Sequence, residues 1–303
     1  MIVLFSILGA LAAIFILLAI IAIIKKPDSI YAHKPRERNP MEGKKVRFVE
    51  NDAEKENADG VRGHLEAVGS VDHKPSFYEK VFKRLVDIVL SFFGLVILSP
   101  VFLVLTIWII IDDPGPILFT QKRLGKNKQY FKLHKFRSMK MSTPHDRPTH
   151  MLENPQQYIT KAGKFIRAHS LDELPQIWDI FIGNMSVIGP RPGLWNQDLL
   201  TAERDKYGAN DIKPGLTGWA QINGRDELEI SVKAKLDGEY VENIGLKMDV
   251  KCFLGSLGVF AGDKSVVEGG TGEMKKAEKQ TEEKEIEQIT GQTEEYEVKE
   301  QNV

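Results

Sequence analysis

The chain has 303 residues, of which 42% are hydrophobic and 27% charged, and its formal net charge is −1. That length suits one good-sized domain with membrane segments rather than several large domains, and a net charge so near zero argues neither for nor against an anionic partner. A single cysteine, Cys252, excludes an internal disulfide framework and a cysteine-based metal cluster.

Met1 to Ile24 carries no charged residue, and Lys25 and Lys26 follow at once. At about 1.5 Å per helical residue the run reaches roughly 36 Å, enough to cross a hydrocarbon core of about 30 Å. A cleaved leader would place its positive charge ahead of a shorter apolar run. Residues 1–26 are therefore expected to form an uncleaved transmembrane anchor whose C-terminal end faces the cytoplasm. Residues 27–79 are rich in charge, with Pro35, Pro40 and an acidic run from Glu50. Such a composition is expected to give a flexible linker containing a short helix at most.

Ile88 to Ile111 is a second charge-free run, again 24 residues long, with Ser99-Pro100 at its middle. Proline removes a backbone hydrogen bond and bends or breaks a helix, and a serine before it can bond the carbonyl set free. Both flanks are basic: Lys80, Lys83 and Arg84 precede the run, and Lys122, Arg123, Lys126 and Lys128 follow it. The orientation rule places both ends in the cytoplasm, which makes the segment re-entrant; a spanning helix with a proline kink is the alternative. Asp87 stands where it can pair locally with Arg84.

After the turn signal Asp112-Asp113-Pro114-Gly115-Pro116, residues Phe119, Gln121 and Arg123 and then Phe131, Leu133, Lys135 and Arg137 alternate at period 2 around Gly125-Lys126-Asn127-Lys128. The pattern predicts a β-hairpin with one basic face. From Lys80 to Ser170 there are fifteen Lys or Arg against five Asp or Glu, a local surplus suited to lipid head groups and diphosphates alike. Trp178, Phe181 and Trp195 belong either to a core or to amphipathic helices in the membrane interface. From Gly272 to Val303 the sequence repeats Glu, Lys, Gln and Thr, and a solvated acidic tail is expected.

Residues Lys161 to Pro192 concentrate the groups able to do chemistry: Lys164, Arg167, Ser170-Leu171-Asp172-Glu173-Leu174-Pro175 and Gly189-Pro190-Arg191-Pro192. Adjacent carboxylates beside fixed cations suit phosphoryl transfer through an enzyme-bound intermediate. One carboxylate attacks phosphorus, the other holds Mg²⁺, and arginines neutralise the transition state. The same residues also satisfy a capping box, Ser170 with Glu173, which on local grounds accounts for them without chemistry. Asp112 and Asp113 could likewise bind Mg²⁺, although a helix stop and turn suffices to explain them. The seven histidines show no i, i+4 metal pair, and no glycine-rich loop fits a P-loop or dinucleotide fingerprint.

Taken in order, Lys83-Arg84-x-x-Asp87, Ser99-Pro100, Asp113-x-Gly115-Pro116-Ile117-x-Phe119-x-Gln121-x-Arg123-x-Gly125, Lys135-Phe136-Arg137-Ser138-Met139, Ser170 to Gln176, Gly189-Pro190-Arg191-Pro192 and Pro214-Gly215-Leu216-Thr217-Gly218 resemble the bacterial sugar transferases, the monotopic polyprenol-phosphate phosphoglycosyl transferases. The resemblance runs from about Lys80 to Gly270. It implies an α+β, mostly helical, membrane-associated fold over 80–271: a re-entrant membrane helix (84–111) broken at Ser99 and Pro100, then a small cytoplasmic catalytic part (112–271) with a β-hairpin and interfacial amphipathic helices. The tail would occupy 272–303. The implied catalytic pair is Asp172 and Glu173, with Asp172 attacking the β-phosphorus of a UDP-sugar, releasing UMP and passing the phosphosugar to undecaprenyl phosphate. Glu173 would serve Mg²⁺; Arg167, Arg191, Lys164, Lys135 and Arg137 would bind phosphates. The segment Lys206 to Gly272, with Asn223 and Arg225, looks like the branch that handles UDP-N-acetylamino sugars. The expected partners are the UDP-sugar, undecaprenyl phosphate, membrane lipid and a second copy of the chain, with nucleic acid not among them. The expected location is the cytoplasmic membrane, catalytic part inward. A glycosyltransferase releasing UDP and a non-enzymatic scaffold of a polysaccharide assembly are the rivals.

Overall fold

The computed structural model describes residues 37–71, 73–143, 155–224 and 228–262. The expected anchor (1–26), the acidic tail (272–303) and Arg225 lie outside the described residues. Strands β1 (Lys44–Glu50) and β2 (Gly63–Ser70) are followed by a π-helical turn at Tyr78–Phe82, α1 (Lys83–Ile97) and α2 (Ser99–Asp112). Next come β3 (Leu118–Leu124), β4 (Tyr130–Phe136), α3 (Lys161–Ala168), a 3₁₀ turn at Leu171–Glu173, α4 (Gln176–Ile182) and β5 (Ser186–Ile188). Helix α5 (Asp198–Asp205), β6 (Gly215–Thr217), α6 (Trp219–Ile222), α7 (Ile230–Glu242) and α8 (Leu246–Gly262) complete, among the described residues, an α+β architecture with three two-stranded sheets.

The apolar run after Arg84 forms α1 and α2, bent by 58°. The break falls at Leu98, and Ser99 Oγ donates to Val96 O at 2.7 Å. Val96 O is the carbonyl that Pro100, lacking an N–H, leaves without its i+4 donor. Among the described residues no single helix is long and apolar enough to cross a membrane, but this bent pair is, by length and composition. One side of the pair is buried through Leu95, Phe102, Leu105 and Ile109, which pack with Phe136, Ala162 and Ile166. Leu85, Val89, Phe92, Phe93, Ile97, Val104 and Ile111 are exposed, more large apolar side chains on one helix pair than the scattered exposed residues of a soluble domain.

Both ends of the pair are tied to the same body. Arg84 donates to Ile180 O and Phe181 O, each at 2.7 Å, so its guanidinium caps the carbonyl end of α4, where Ile180 O also accepts from Gly183 N at 3.0 Å. Asp87, expected to pair with Arg84, instead accepts from Ser186 Oγ and Val187 N at 2.9 Å; the two side chains serve neighbouring elements, not each other. Lys83 Nζ reaches Asp249 at 2.6 Å and Tyr240 Oη at 3.0 Å. At the far end, Asp112 accepts from Ala162 N and Asp113 from Met141 N, both at 2.8 Å. The acidic pair is thus a structural fastening that includes a helix N-terminus.

Strands β3 and β4 form the expected hairpin, with Arg123 opposite Phe131, Gln121 opposite Leu133 and Phe119 opposite Lys135. Its basic residues do not share one face. Lys122 and Lys132 form a register pair on the side opposite Arg123 and Lys135, and each side also carries buried apolar residues, Leu124 and Phe136 on the first and Phe131 and Leu133 on the second. Trp178 and Phe181 pack against the core beside Leu95 and Phe102, whereas Trp195 is partly exposed with Lys122 Nζ 4.1 Å from its ring centre.

Residues 44–70, expected within a flexible linker, form the antiparallel β1–β2 hairpin. The hairpin takes from the rest of the fold what its composition lacks. Val46 is buried, its N–H donates to Asp205 Oδ2 at 2.8 Å, and Lys45 pairs with Asp211 at 2.8 Å. Asp205 also accepts from the wholly buried Lys128 Nζ at 2.9 and 3.0 Å. Removing one member of a buried pair leaves an uncompensated charge, so Asp205→Asn should cost about 3 kcal/mol of stability and loosen the β1–β2 hairpin. Equilibrium unfolding of the detergent-solubilised protein, with hydrogen exchange over 44–70, checks this; unchanged stability and exchange would contradict it.

Candidate active site

The 3₁₀ turn at Leu171–Glu173 is held from both directions. Thr160 Oγ1 caps α3 by accepting from Gly163 N at 2.8 Å. At Gly163 an added Cβ would fall 1.9 Å from Ser138 O, so only glycine lets α3 lie this close to the chain leaving β4. After α3, Ser170 adopts a left-handed conformation, φ 53°, which costs a non-glycine residue roughly 1–2 kcal/mol. The chain thereby turns so that Leu171 and Leu174 join the apolar core, while Asp172 and Glu173 meet cations.

No capping box forms. Ser170 makes no side-chain cap and Glu173 does not reach back. Glu173 Oε1 instead accepts from Lys135 Nζ at 2.7 Å and Arg191 Nη2 at 2.8 Å, and Oε2 from Arg191 Nη1 at 3.3 Å. Lys135 Nζ also lies 3.7 Å from Asp172 Oδ2. Asp172 is 7% exposed, and its Oδ1 is buried with no hydrogen-bond partner.

The two carboxyls are driven apart electrostatically. Burial pushes the Asp172 carboxyl above its ordinary value, the Glu173 charge adds to this, and Lys135 and Arg167 oppose it. Burial acts against Glu173 ionisation too, yet Arg191 and Lys135 outweigh it and hold that carboxyl far below the usual carboxylate range. The result is a Glu173 whose charge is favoured beside an Asp172 whose charge is less well tolerated. Adjacent groups with such opposed environments make the pair a candidate site of chemistry.

Of the seven cationic and acidic residues expected at the site, five converge: Asp172, Glu173, Lys135 and Arg191 by contact, and Arg167 through its charge on Asp172. The other two do not. Lys164 stands exposed on α3. Arg137 is buried against Asp113, donating to its carbonyl oxygen, with Nη1 3.3 Å from Oδ2; it secures the exit of α2, not the dyad. Asn223 Nδ2 donates to Trp219 O at 2.7 Å and so closes α6.

Sequence reasoning missed Arg204 and Asp237, which lie behind the Arg191 loop and pair at 2.7 Å, and the contact of His134 Nδ1 with buried Asp179 at 2.8 Å. These pairs join residues dozens of positions apart, and nothing in the local pattern announces them.

The model of the bacterial sugar transferase family matches residues 78–263. UDP-glucose:undecaprenyl-phosphate glucose-1-phosphate transferase of Escherichia coli (strain K12) is 36% identical over 190 residues, covering 60% of this chain and 40% of that protein. UDP-N-acetylgalactosamine-undecaprenyl-phosphate N-acetylgalactosaminephosphotransferase of Aeromonas hydrophila is 31% identical over 195 residues, covering 62% and 45%. An uncharacterized sugar transferase of Bacillus subtilis (strain 168), EpsL, is 36% identical over 171 residues, covering 56% and 83%. The chain thus spans less than half the length of the first two relatives.

A raised folded-state value means that ionised Asp172 opposes folding at neutral pH, an effect absent below the unfolded value of about 3.9. Asp172→Asn should therefore raise the thermal midpoint at pH 7 by about a few degrees. The gain should shrink with acidification and be gone near pH 3, to about half a unit. Thermal unfolding across that range checks the sign; a lowered midpoint at pH 7 contradicts it.

Proposed function

The chain belongs to the bacterial sugar transferase family, and on that footing we propose that it transfers a sugar 1-phosphate from a UDP-sugar to undecaprenyl phosphate, releasing UMP, at the start of exopolysaccharide or capsule synthesis. The observation that carries the proposal is the buried Asp172, with Oδ1 unpartnered, beside a Glu173 locked onto Lys135 and Arg191. A nucleophile must keep a lone pair uncommitted, and Asp172 does.

In the first step an Asp172 carboxylate oxygen bonds to the β-phosphorus as the bond to the bridging oxygen of UMP breaks, and UMP leaves with that electron pair. In the second, a phosphate oxygen of undecaprenyl phosphate attacks the same phosphorus, and the carboxylate of Asp172 leaves. The product is the polyprenyl diphosphate sugar. Lys135, Arg167 and Arg191 carry three positive charges against the two carboxylates, a surplus that favours an anionic diphosphate and offsets charge in the transition state.

Mg²⁺ fits this donor set. Among the described residues no group of three or more His, Cys, Asp or Glu is arranged to hold a metal, and Mg²⁺ takes one or two carboxylates and fills its remaining positions with phosphate oxygens and water. Glu173 would hold the ion through Oε2, which carries only the longer 3.3 Å bond from Arg191 Nη1, and the ion would neutralise the donor's phosphates. The proposed donor is an N-acetylamino sugar, on the character of 206–272; the relatives' names include both glucose and N-acetylgalactosamine. A panel of UDP-glucose, UDP-galactose and their N-acetylated counterparts, with undecaprenyl phosphate, should yield UMP fastest from an N-acetylated donor. Asp172→Asn should yield none. Release of UDP would favour a glycosyltransferase, and no nucleotide from any donor would favour a scaffold.

The α1–α2 pair is proposed to enter and leave the cytoplasmic leaflet on one side. Supporting this are the 58° bend, the basic flanks and the fastening of both ends to one body. The exposed Leu246, Val250, Phe253, Leu254 and Leu257 of α8, with Phe165 on Trp108 at 5.3 Å, would lie in the interface. Cysteines replacing the exposed Lys80 and Lys140 should both be labelled by an impermeant reagent from the cytoplasmic side alone. Labelling of either from outside would establish a spanning helix.

A further inference from the structure

The Pro190–Gly193 loop is held by its carbonyls, one after another. Pro190 O accepts from Gly215 N at 2.9 Å, Arg191 O from Arg204 Nη1 at 2.9 Å, Pro192 O from Arg123 Nη1 at 2.9 Å, and Gly193 O from Leu124 N at 3.0 Å. The partners come from β6, α5 and β3, which surround the loop. Two of the four donors are guanidinium groups, and only Arg204 is deeply buried, at 5% exposure.

Arg204 is committed on two sides. Its Nε and Nη2 bond Asp237 Oδ2 on α7 at 2.8 and 2.7 Å, and Asp237 is 1% exposed. Its Nη1 turns to the main chain of the very residue whose side chain clamps Glu173. The third bond satisfies a donor that a buried guanidinium cannot leave unpaired, and the acceptor is the main chain of Arg191. A buried cation is expensive unless every donor is used, and here one donor is used to set the position of Arg191. The next residue, Asp205, fixes the same helix from its other side through Lys128 and Val46 N.

We infer that Arg204 is a positioning residue: it acts through Arg191, holding the loop so that the Arg191 guanidinium stays on Glu173. The inference rests on the function proposed above, since the dyad is what Arg191 serves. Arg204 touches neither carboxylate, so its influence has to pass through the Arg191 backbone. Its effect on the dyad should therefore vanish once the Arg191 side chain is gone, while its pairing with Asp237 remains.

A double-mutant cycle reads this directly. Arg204→Met combined with Asp237→Leu removes both buried charges together, which avoids stranding either one. In the wild-type background this pair should lower kcat/KM for UMP release about tenfold, and in an Arg191→Ala background by less than about twofold. Arg204→Lys, which keeps the charge but not the fork, should recover part of the loss. Equal losses in the two backgrounds, or none in the first, would overturn the inference. If the unaltered protein releases no UMP from any donor, the proposed function fails, and hydrogen exchange still decides this point. Amides over 189–194 should exchange faster in the paired variant at a matched thermal midpoint, and unchanged exchange there would refute the positioning role.

Discussion

Two adjacent carboxylates withdrawn from water repel one another and lose their hydration, so they remain ionised only where the fold brings cations to them. The structure meets this constraint around Asp172 and Glu173 with charges from three separate elements: Lys135 on β4, Arg167 on α3 and Arg191 on the loop after β5. The distribution among them is unequal, and that inequality is what differentiates the pair. Glu173 takes direct bonds from two cations and becomes fixed charge, while Asp172 receives weaker, longer-range support and keeps an oxygen uncommitted.

The same elements secure the bent apolar helix pair. Arg84 caps α4 a few residues after the dyad, and Asp87 receives β5 just before the Arg191 loop. The far end of α2 is fastened to the first turn of α3, which leads straight to Ser170 and the dyad. The bent apolar pair and the polar site are therefore one mechanical unit. Phe102, Leu105 and Ile166 pack the space between them, and close packing leaves little freedom for the helices to shift independently of the site.

Behind the site, α5 gathers the remaining constraints. Asp205 anchors the β1–β2 hairpin and the buried Lys128, and Arg204 supports the Arg191 loop against α7. The hairpin is thus attached to the catalytic body through buried polar bonds, not by a broad apolar face. Its sequence carries too little hydrophobicity to advertise that it folds, which is why 44–70 reads as a linker when its partners are out of view.

The sequence by itself determined what depends on near neighbours and on composition. The apolar run with its proline break, the period-2 hairpin around Gly125–Lys128, and the basic surplus next to an acidic pair all arise from side chains within a few residues of one another. Ser99 even met Val96 O as helix geometry requires. Tertiary structure decided the rest, because it turns on partners far along the chain. The acidic pair meets cations and forms no capping box because Lys135 and Arg191 arrive from 38 and 18 residues away. Arg137 stands apart from the dyad because Asp113, 24 residues before it, claims it first. Spacing shows which charges a chain owns, but a buried charge settles on whichever opposite charge the completed fold brings within a few ångströms, and that choice is made in three dimensions.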